Sequence, residues 1–327
     1  MKNVNKIANV AILSVTFSVQ ASASEFLNGH FSGEFGLNTG MMSVESNLNT
    51  ESNQVLEGDI NRKGDSESMA LLFPVGVIEY NFGKQQLFAG MSRDDIASGD
   101  FVMAFGYRNQ IVEGTVLSLS YVPTLTASEV WQDPYLTGTK RSVTDSESEG
   151  YRIQLTPSSG AGFSLDLGYG TNEVENELSG SSLSNEERSI LRRSGDSRYL
   201  NVGYQLPLSS NMFLSPAVTY IDHNADGRAM SFQSYAASLG LINQFGHHAL
   251  SVNVDYAESD YDAINPVFGL KQSDSSYGAF VAYEYASLFN VDYLSFISFA
   301  GMSQTNSNID FFDSSLLAFS VGLNLKF

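Results

Sequence analysis

SVGLNLKF, residues 320–327, ends the chain with an apolar residue at every second position. The alternation starts at Leu316 and continues to the terminal Phe327. A period of two is typical of a strand with one apolar face and one small or polar face. A soluble edge strand with such a face invites aggregation, so the pattern favours lipid as its solvent. The apolar face holds Leu317, Phe319, Val321, Leu323, Leu325 and Phe327.

The first 24 residues have the three parts of a secretory signal. Lys2 and Lys6 precede an apolar run over residues 7–19, and the small residues 21–23 follow it. The run is too short, and too often interrupted by polar residues, to anchor the chain in a membrane. We therefore expect a cleaved signal peptide at 1–24 and an outer-membrane β-barrel at 25–327.

Composition excludes several classes of function. The chain has no cysteine, which rules out disulfides, thiol nucleophiles and thiolate metal sites. Its formal charge is −19, and loss of Lys2 and Lys6 with the signal, which holds no acid, changes this to −21. A chain this acidic offers no basic surface that would release counterions from nucleic acid. We expect no nucleic-acid partner and no cofactor.

Beyond the signal, the sequence repeats one unit, a strand of about ten residues followed by a turn. The connections between strands alternate between short turns and long polar loops. The pattern predicts fourteen strands, at 30–44, 69–82, 86–96, 101–111, 115–125, 151–157, 163–177, 198–208, 213–222, 229–245, 249–262, 275–289, 293–304 and 316–327.

An even number of alternating strands with two interleaved loop classes is the signature of a transmembrane antiparallel β-barrel. Lipid cannot hydrogen-bond to the backbone, so a sheet within it must close on itself. Tyrosines late in every second strand, those expected to run outward, predict an aromatic girdle at the outer membrane surface; they are Tyr121, Tyr169, Tyr220 and Tyr256. A secreted β-sandwich, the alternative, predicts neither the apolar last residue nor the alternating loop lengths.

Two resemblances support this interpretation. Ser320, Gly322, Leu325 and Phe327 resemble the C-terminal assembly signal of outer-membrane proteins, which implies the barrel assembly machinery as a partner. From Phe31 onward, the chain is also similar to a family of uncharacterised, porin-like outer-membrane proteins of marine gammaproteobacteria. That resemblance implies a barrel but no activity, and no catalytic residue comes with it. It is carried by MSRDDIASG (91–99), VWQDPYLTG (130–138), YIDHNADGRAMSF (220–232), DYDAINPVFG (260–269) and ISFAG (297–301).

Charged residues on the small, polar strand faces should point into the lumen and set ion selectivity. Acids outnumber bases among them, which favours a water-filled channel with a mild cation preference. A closed barrel plugged by the same charges in salt bridges is the alternative. The stretch 69–77 is apolar on both faces, which is compatible with a bulge. The predicted lumen set is Glu34, Glu79, Arg108, Arg152, Asp166, Asp255, Glu284 and Lys326.

Each of three loop motifs can be interpreted in two ways, as a functional site or as a structural feature of the loop. DHNADG, 222–227, places Asp222, Asn224 and Asp226 as in the first half of a calcium loop, but a plain outer turn explains it better. Residues 184–195 predict a capped helical turn in an outer loop, with a basic cluster that docks on acidic loops or on lipopolysaccharide phosphate, or is merely solvated. Trp131 packs its loop into the barrel mouth, or stacks on a sugar.

The four histidines, His30, His223, His247 and His248, lie near strand ends or in turns. None has a likely nucleophile beside it in mid-strand, so we expect no enzyme. The sequence favours a porin-like diffusion channel for small hydrophilic solutes in the outer membrane of a Gram-negative bacterium. The alternative is a non-conducting, surface-exposed barrel with a structural or binding role, whose acidic outer loops carry the function. A transporter of hydrophobic compounds should need an N-terminal plug, for which the expected mature chain has little room.

Overall fold

A computed structural model describes residues 28–112, 114–124, 127–158 and 160–327, and the expected signal peptide lies outside these residues. Its strands form one closed antiparallel barrel. Fourteen strands make the ring, as predicted, and one short extra strand, β6, pairs only with β7. The strands are β1 His30–Glu45, β2 Ser66–Phe82, β3 Gln85–Gly90, β4 Ala104–Val112, β5 Thr115–Val122, β6 Ser128–Trp131, β7 Val143–Pro157, β8 Gly162–Val174, β9 Gly195–Pro207, β10 Met212–Ala225, β11 Phe232–Phe245, β12 His248–Asn265, β13 Leu270–Tyr285, β14 Leu294–Ser307 and β15 Ser314–Lys326.

The two ends of the chain close the barrel. β1 pairs with β15 from Glu34 to Glu45, and the Phe327 amide donates to the Gly33 carbonyl at 3.0 Å. A Cβ at Gly322 would lie 2.4 Å from the Leu37 carbonyl oxygen, so only glycine fits this close approach. Phe319 and Phe327 are exposed on the outer face, by 53% and 64%. The C-terminal alternation is thus explained by a last strand whose apolar side faces lipid.

Aromatic side chains on the outer face pair across neighbouring strands at both ends of the barrel. Toward the outer end, the rings of Tyr121 and Tyr151 lie 5.3 Å apart, and Tyr220 and Tyr235 lie 5.0 Å apart. Toward the periplasmic end, the corresponding pairs are Phe31–Tyr80 and Phe163–Tyr204, each at 4.8 Å. These positions are those of the two aromatic girdles of membrane barrels.

The predicted strand at 86–96 is wrong in its second half. β3 ends at Gly90, and the chain turns into the barrel before β4 begins at Ala104. Within this inward loop, residues 91–103, a short helix α1 (Arg93–Ser98) starts at Ser92, whose hydroxyl accepts from the Asp95 amide. Gly99 ends α1 with a φ of 94°, a left-handed conformation that favours glycine. Residues 97–100 are therefore part of a luminal element and not an outer loop.

The remaining outer connections converge over the mouth and form an outer lid. Tyr135, which follows β6, packs its ring 5.5 Å from that of Phe311, which precedes β15. The strands on which these two loops stand lie on opposite sides of the ring, so the lid spans the mouth. The lid comprises residues 46–65, 127–142, 175–194 with helix α2 (Asn185–Ser189), 226–231, 266–269, and 308–313 with the 3₁₀ turn Asp310–Phe312.

The lid has an apolar core of its own. Leu191, Ile309 and Phe311 are fully buried there, together with Leu56, Tyr135 and Ala229. The upper part of β7 pairs with β6 and β8, which is why β7 begins at Val143 and not at the predicted residue 151. At the periplasmic end the turns are short, and one contains a 3₁₀ turn, Leu288–Asn290. Among the residues described, none of the helices is long and apolar enough to cross a bilayer.

Candidate functional site

The inward loop narrows the lumen and forms the centre of the candidate site. Its apolar side packs on the wall made by β2, β13 and β14. The ring of Phe101 lies 5.7 Å from Phe73, 5.5 Å from Phe299 and 6.0 Å from Phe280, and Ile96 is buried in the same cluster. Burial of these side chains fixes one face of the loop to the barrel.

Ion pairs hold the start of α1 to the same side of the barrel. Arg93 donates from Nη1 to Glu284 Oε2 at 2.8 Å and from Nε to Glu34 Oε2 at 3.1 Å. Lys326 Nζ reaches the other oxygen of Glu284 at 2.7 Å. Two acids and two bases from β1, β13, β15 and the loop therefore share one network, which the sequence had predicted only in part.

The far side of the loop is tied to the opposite wall. Asp95 pairs with Arg152 of β7 at 2.9 Å, and Arg152 also pairs with Asp166 of β8 at 2.6 Å. The end of α1 is tied to β12, the strand next to β13: the Ser251 hydroxyl donates to the Ala97 carbonyl at 2.8 Å, and the Asn253 amide donates to the Ser98 carbonyl at 3.1 Å. The loop thus crosses the lumen and touches both sides.

The luminal face of β8–β12 forms the polar side of the lumen, and we call the space along it the polar passage. The luminal side chains there are small or polar, and most keep part of their surface open to solvent. Small side chains leave room, and hydroxyl and amide groups can replace the hydration of a passing solute. The lining includes Ser164, Asn201, Ser215, Thr219, Ser238, Gly240 and Asn253.

All eight predicted lumen residues lie on the inner face, but most of their charges are paired. Arg108 contacts Glu79 at 3.1 Å and stacks over Phe88 at 4.0 Å. Asp255 and Asp100 form no ion pair in the described part of the chain. The passage therefore keeps a surplus of negative charge after the salt bridges are counted.

Sequence reasoning missed Arg93 and Asp95, which fall in the predicted strand 86–96, and Asp100, which falls in the connection between that strand and the next. A signal was present. Ser92 followed by Asp95 is an N-cap pattern, and Gly99 is a helix stop. Both lie in MSRDDIASG, where the apolar alternation of β3 ends.

The outer lid is held by buried polar contacts as well as by its apolar core. Trp131 is 2% exposed and donates from Nε1 to the Asn47 carbonyl at 3.1 Å, so it packs and offers no ring to a sugar. Arg141 stacks over Trp131 at 4.1 Å and donates to the Pro134 carbonyl at 2.9 Å. Burial lowers the pKa of Arg141 to about 10, and burial raises the pKa of Tyr135 to about 12.

The predicted capping box is present in α2, where Ser184 and Glu187 bond each other's backbone. Of the basic residues in 184–195, Arg193 docks within the lid. Arg193 pairs with Glu177 at 3.0 Å and donates to the Trp131 carbonyl at 2.6 Å. Arg193 therefore docks on an acidic residue of a neighbouring loop segment, which was one of the interpretations of this basic cluster.

The possible calcium motif does not form a loop. β10 continues to Ala225, so Asp222 and Asn224 lie in an extended strand and not in the predicted turn. Asp222 contacts Arg198 at 3.6 Å, and Asn224 donates to Asp196 at 3.2 Å. An extended strand cannot wrap an ion, and no group of three metal-ligating side chains occurs in the residues described.

One histidine does lie beside a hydroxyl, contrary to the sequence argument. His223 Nδ1 and Ser197 Oγ are 2.8 Å apart on neighbouring strands. Ser197 is 3% exposed, so a substrate cannot reach its oxygen. The pair is a structural hydrogen bond under the lid.

Comparisons with known proteins agree with the barrel. The chain is similar to the outer-membrane channel DcaP of Acinetobacter baumannii, with a TM-score of 0.50 and 8% identity over 91% of this chain and 97% of that one. It is also similar to an anion-selective porin from Comamonas acidovorans (TM-score 0.42, 12% identity, 92% and 100% covered) and to OmpT of Vibrio cholerae (TM-score 0.44, 7% identity, 95% and 100% covered). At such identities the likeness shows the fold and not the solute.

A search among curated proteins gave no match. A family model, by contrast, matches residues 30–326, which is nearly the whole barrel. The match agrees with the resemblance in the sequence, which implied a barrel but no activity. The chain belongs to the family described as "Protein of unknown function (DUF2860)".

Proposed function

We propose that this protein is a diffusion channel for small hydrophilic solutes in the outer membrane of a Gram-negative bacterium. The observation that carries the proposal is the polar passage between the inward loop and the β8–β12 wall. The barrel fold of the structural neighbours supports a porin-like channel. We propose no catalytic role, because the Ser197–His223 pair is buried and has no exposed nucleophile.

A mild preference for cations follows from the luminal charges. Acids exceed bases there, and negative walls in a low-dielectric shell concentrate cations. The acids are Glu34, Glu79, Asp95, Asp100, Asp166, Asp255 and Glu284, and the bases are Arg93, Arg108, Arg152 and Lys326.

Reversal potentials across a KCl gradient in planar bilayers test this function. Wild-type protein should conduct and favour potassium. Asp255→Asn should lower that preference, because Asp255 is an unpaired luminal acid, and adding Asp166→Asn should lower it further. Glu258→Gln is the matched control, since Glu258 lies on the same strand but on its outer face. Anion preference would contradict the charge argument.

A second function is favoured by one observation, the lid across the outer mouth. If purified wild-type protein shows no conductance, the non-conducting barrel becomes the better proposal. Its acidic outer loops would then bind or support a surface component. Lipopolysaccharide is the proposed neighbour of the lid in either case.

We also propose that the C-terminal strand is the signal for the barrel assembly machinery. Phe327 closes the β1–β15 seam through its backbone, and its ring faces outward. Phe327→Ser should reduce the amount of heat-modifiable barrel in the outer membrane. Phe289→Ser, in an exposed periplasmic turn, is the control. Normal levels of the Phe327 variant would contradict the assignment.

A further inference from the structure

The lid leaves open how a solute reaches the passage beneath it, and the barrel wall offers a route. β3 ends at Gly90 and β4 begins at Ala104, while β2 continues upward to Ser66 and β7 begins as high as Val143. Within the described chain, residues 66–75 of β2 pair with β1 alone, because β3 meets β2 only from Val77 downward. A side window therefore stands in the wall above β3 and β4.

The upper rim of this side window is an arch of two lid segments. Leu56 and Val55 form isolated bridges with Thr137 and Lys140. The Gly138 amide also donates to the Leu56 carbonyl at 2.8 Å. These bonds carry the first outer loop across to the loop that follows β6, over the window. The lid thus covers the mouth, while the wall formed by β3 and β4 ends below it and leaves the window open between them.

The window lies at the outer membrane surface. Its sill is next to Phe105, which pairs with Tyr121 of the outer aromatic girdle. On β2, Ala70 pairs with Met41, which is 66% exposed, so the free edge begins within the apolar band. Unpaired backbone at this depth is tolerated where it lines a wet opening, and not against lipid. Pro74, which lacks an N–H, suits an unpaired strand edge.

The inner wall beside the window, on β1, β2 and β15, is apolar. Met42, Val44 and Leu71 form a cluster there, with Met69, Phe73 and Leu316 partly exposed beside it. Phe73 also touches Phe101 of the inward loop, so this apolar surface leads down to the constriction. The opposite side of the lumen is the polar passage along β8–β12. A solute that enters here meets an apolar wall on one side and polar groups on the other.

We propose that solutes enter the lumen through the side window, and that it favours small amphipathic molecules, with one apolar part and one polar or charged group. The apolar part lies against Phe73 and Met69, and the polar group faces the β8–β12 wall. The inference rests on the proposed channel function and specifies its route and solute class.

The absence of native cysteine allows a direct test by single labelling. Met69→Cys, modified with a bulky maleimide, should remove most of the conductance of reconstituted protein. Glu186→Cys on the lid surface, labelled in the same way, should leave it unchanged. Conductance that survives the Met69 label overturns the route. If unlabelled protein fails to conduct at all, the proposed function fails before the route is tested.

A disulfide distinguishes the window from an opening lid. Val55→Cys with Lys140→Cys joins two residues of an antiparallel bridge, whose geometry suits a disulfide. This lock fixes the arch, so conductance should persist after oxidation. Loss of conductance on oxidation, restored by reductant, would show that solutes pass through the lid. An intermolecular disulfide from Leu72→Cys in membranes would show a second copy over the window, and would equally overturn the proposal.

Two permanent cations test the solute class. Phenyltrimethylammonium carries an aromatic ring, whereas tetraethylammonium spreads its apolar surface evenly. Bi-ionic reversal potentials should show higher permeability for phenyltrimethylammonium, and Phe73→Ala should reduce the difference. Equal permeability of the two ions in wild-type protein would contradict the amphipathic preference.

Discussion

The outer lid and the inward loop narrow the same lumen by different means. The lid is held by apolar burial, with Phe311 and Ile309 fully inaccessible. The inward loop is held on two sides by ion pairs of Arg93 and Asp95, and only one of its faces is apolar. Apolar burial is insensitive to salt, whereas ion pairs with a half-exposed member, such as those of Arg93, weaken as salt is added. The difference indicates a fixed cover above and an adjustable constriction below.

Removing the constriction should have the largest effect on the channel. Deletion of residues 93–100 takes away α1 together with both sets of ion pairs. We expect a several-fold rise in single-channel conductance, because the polar passage then widens to the full lumen. Single-channel recording in planar bilayers measures it.

The matched control is deletion of residues 185–189, the α2 helix of the lid. That change should leave conductance near the wild-type value, since α2 is exposed and touches no luminal residue. An unchanged conductance in the α1 deletion would show that the inward loop does not limit flow.

The lid should depend on its buried aromatic rings. Phe311→Ala removes a fully buried ring, a change that costs about 3–5 kcal/mol in well-packed cores. We expect the outer loops to become sensitive to added protease while the barrel stays heat-modifiable. Phe289→Ala is the control, because Phe289 is 82% exposed in a periplasmic turn. Equal protease resistance in both variants would argue against a packed lid.

The sequence predicted the barrel well, because lipid imposes one simple rule on every strand. Alternation placed Phe319 outside and Lys326 inside without knowledge of any contact. Two-residue periodicity and loop lengths then determined the strand number. Such local patterns are visible in a single sequence.

The inward loop and the lid were not predictable in the same way. Leu87 and Ala89 continue the outward face of β3 up to Gly90, and only the short N-cap pattern at Ser92 and the helix stop at Gly99 mark where the wall ends. The lid depends on contacts such as Tyr135–Phe311, between loops far apart in the sequence. The pattern of the apolar stretch 69–77 is compatible with a bulge, but β2 pairs with β1 there without a register shift. Its inward face is apolar because it packs on the inward loop, and its free edge borders the side window.

A smaller effect is expected from Arg152, which both adds positive charge to the lumen and anchors the inward loop. Arg152→Gln removes one luminal base and also leaves Asp95 and Asp166 without their partner. Breaking a buried pair costs at most about 3–5 kcal/mol, and luminal water reduces that cost. We expect both a stronger cation preference and a noisier, larger conductance in bilayer recordings.

Arg108→Gln is the matched variant for that comparison. It removes the same charge from the lumen, but Arg108 pairs with Glu79 of β2, and its ion pair involves no described side chain of the inward loop. Cation preference should rise while conductance stays steady. If both variants behave alike, the Asp95–Arg152 pair does not position the loop.

The smallest expected effect comes from salt alone. Raising KCl from about 0.1 M to about 1 M shortens the screening length from about 10 Å to about 3 Å. The ion pairs of Arg93 are partly exposed, so the inward loop should loosen. Conductance should then rise somewhat faster than the conductivity of the solution, and cation preference should weaken. The α1 deletion should follow solution conductivity more closely, because it lacks those pairs.

Protease resistance of the lid should not change over the same range, since apolar contacts hold it. A lid that opens in salt would remove the distinction between the two elements.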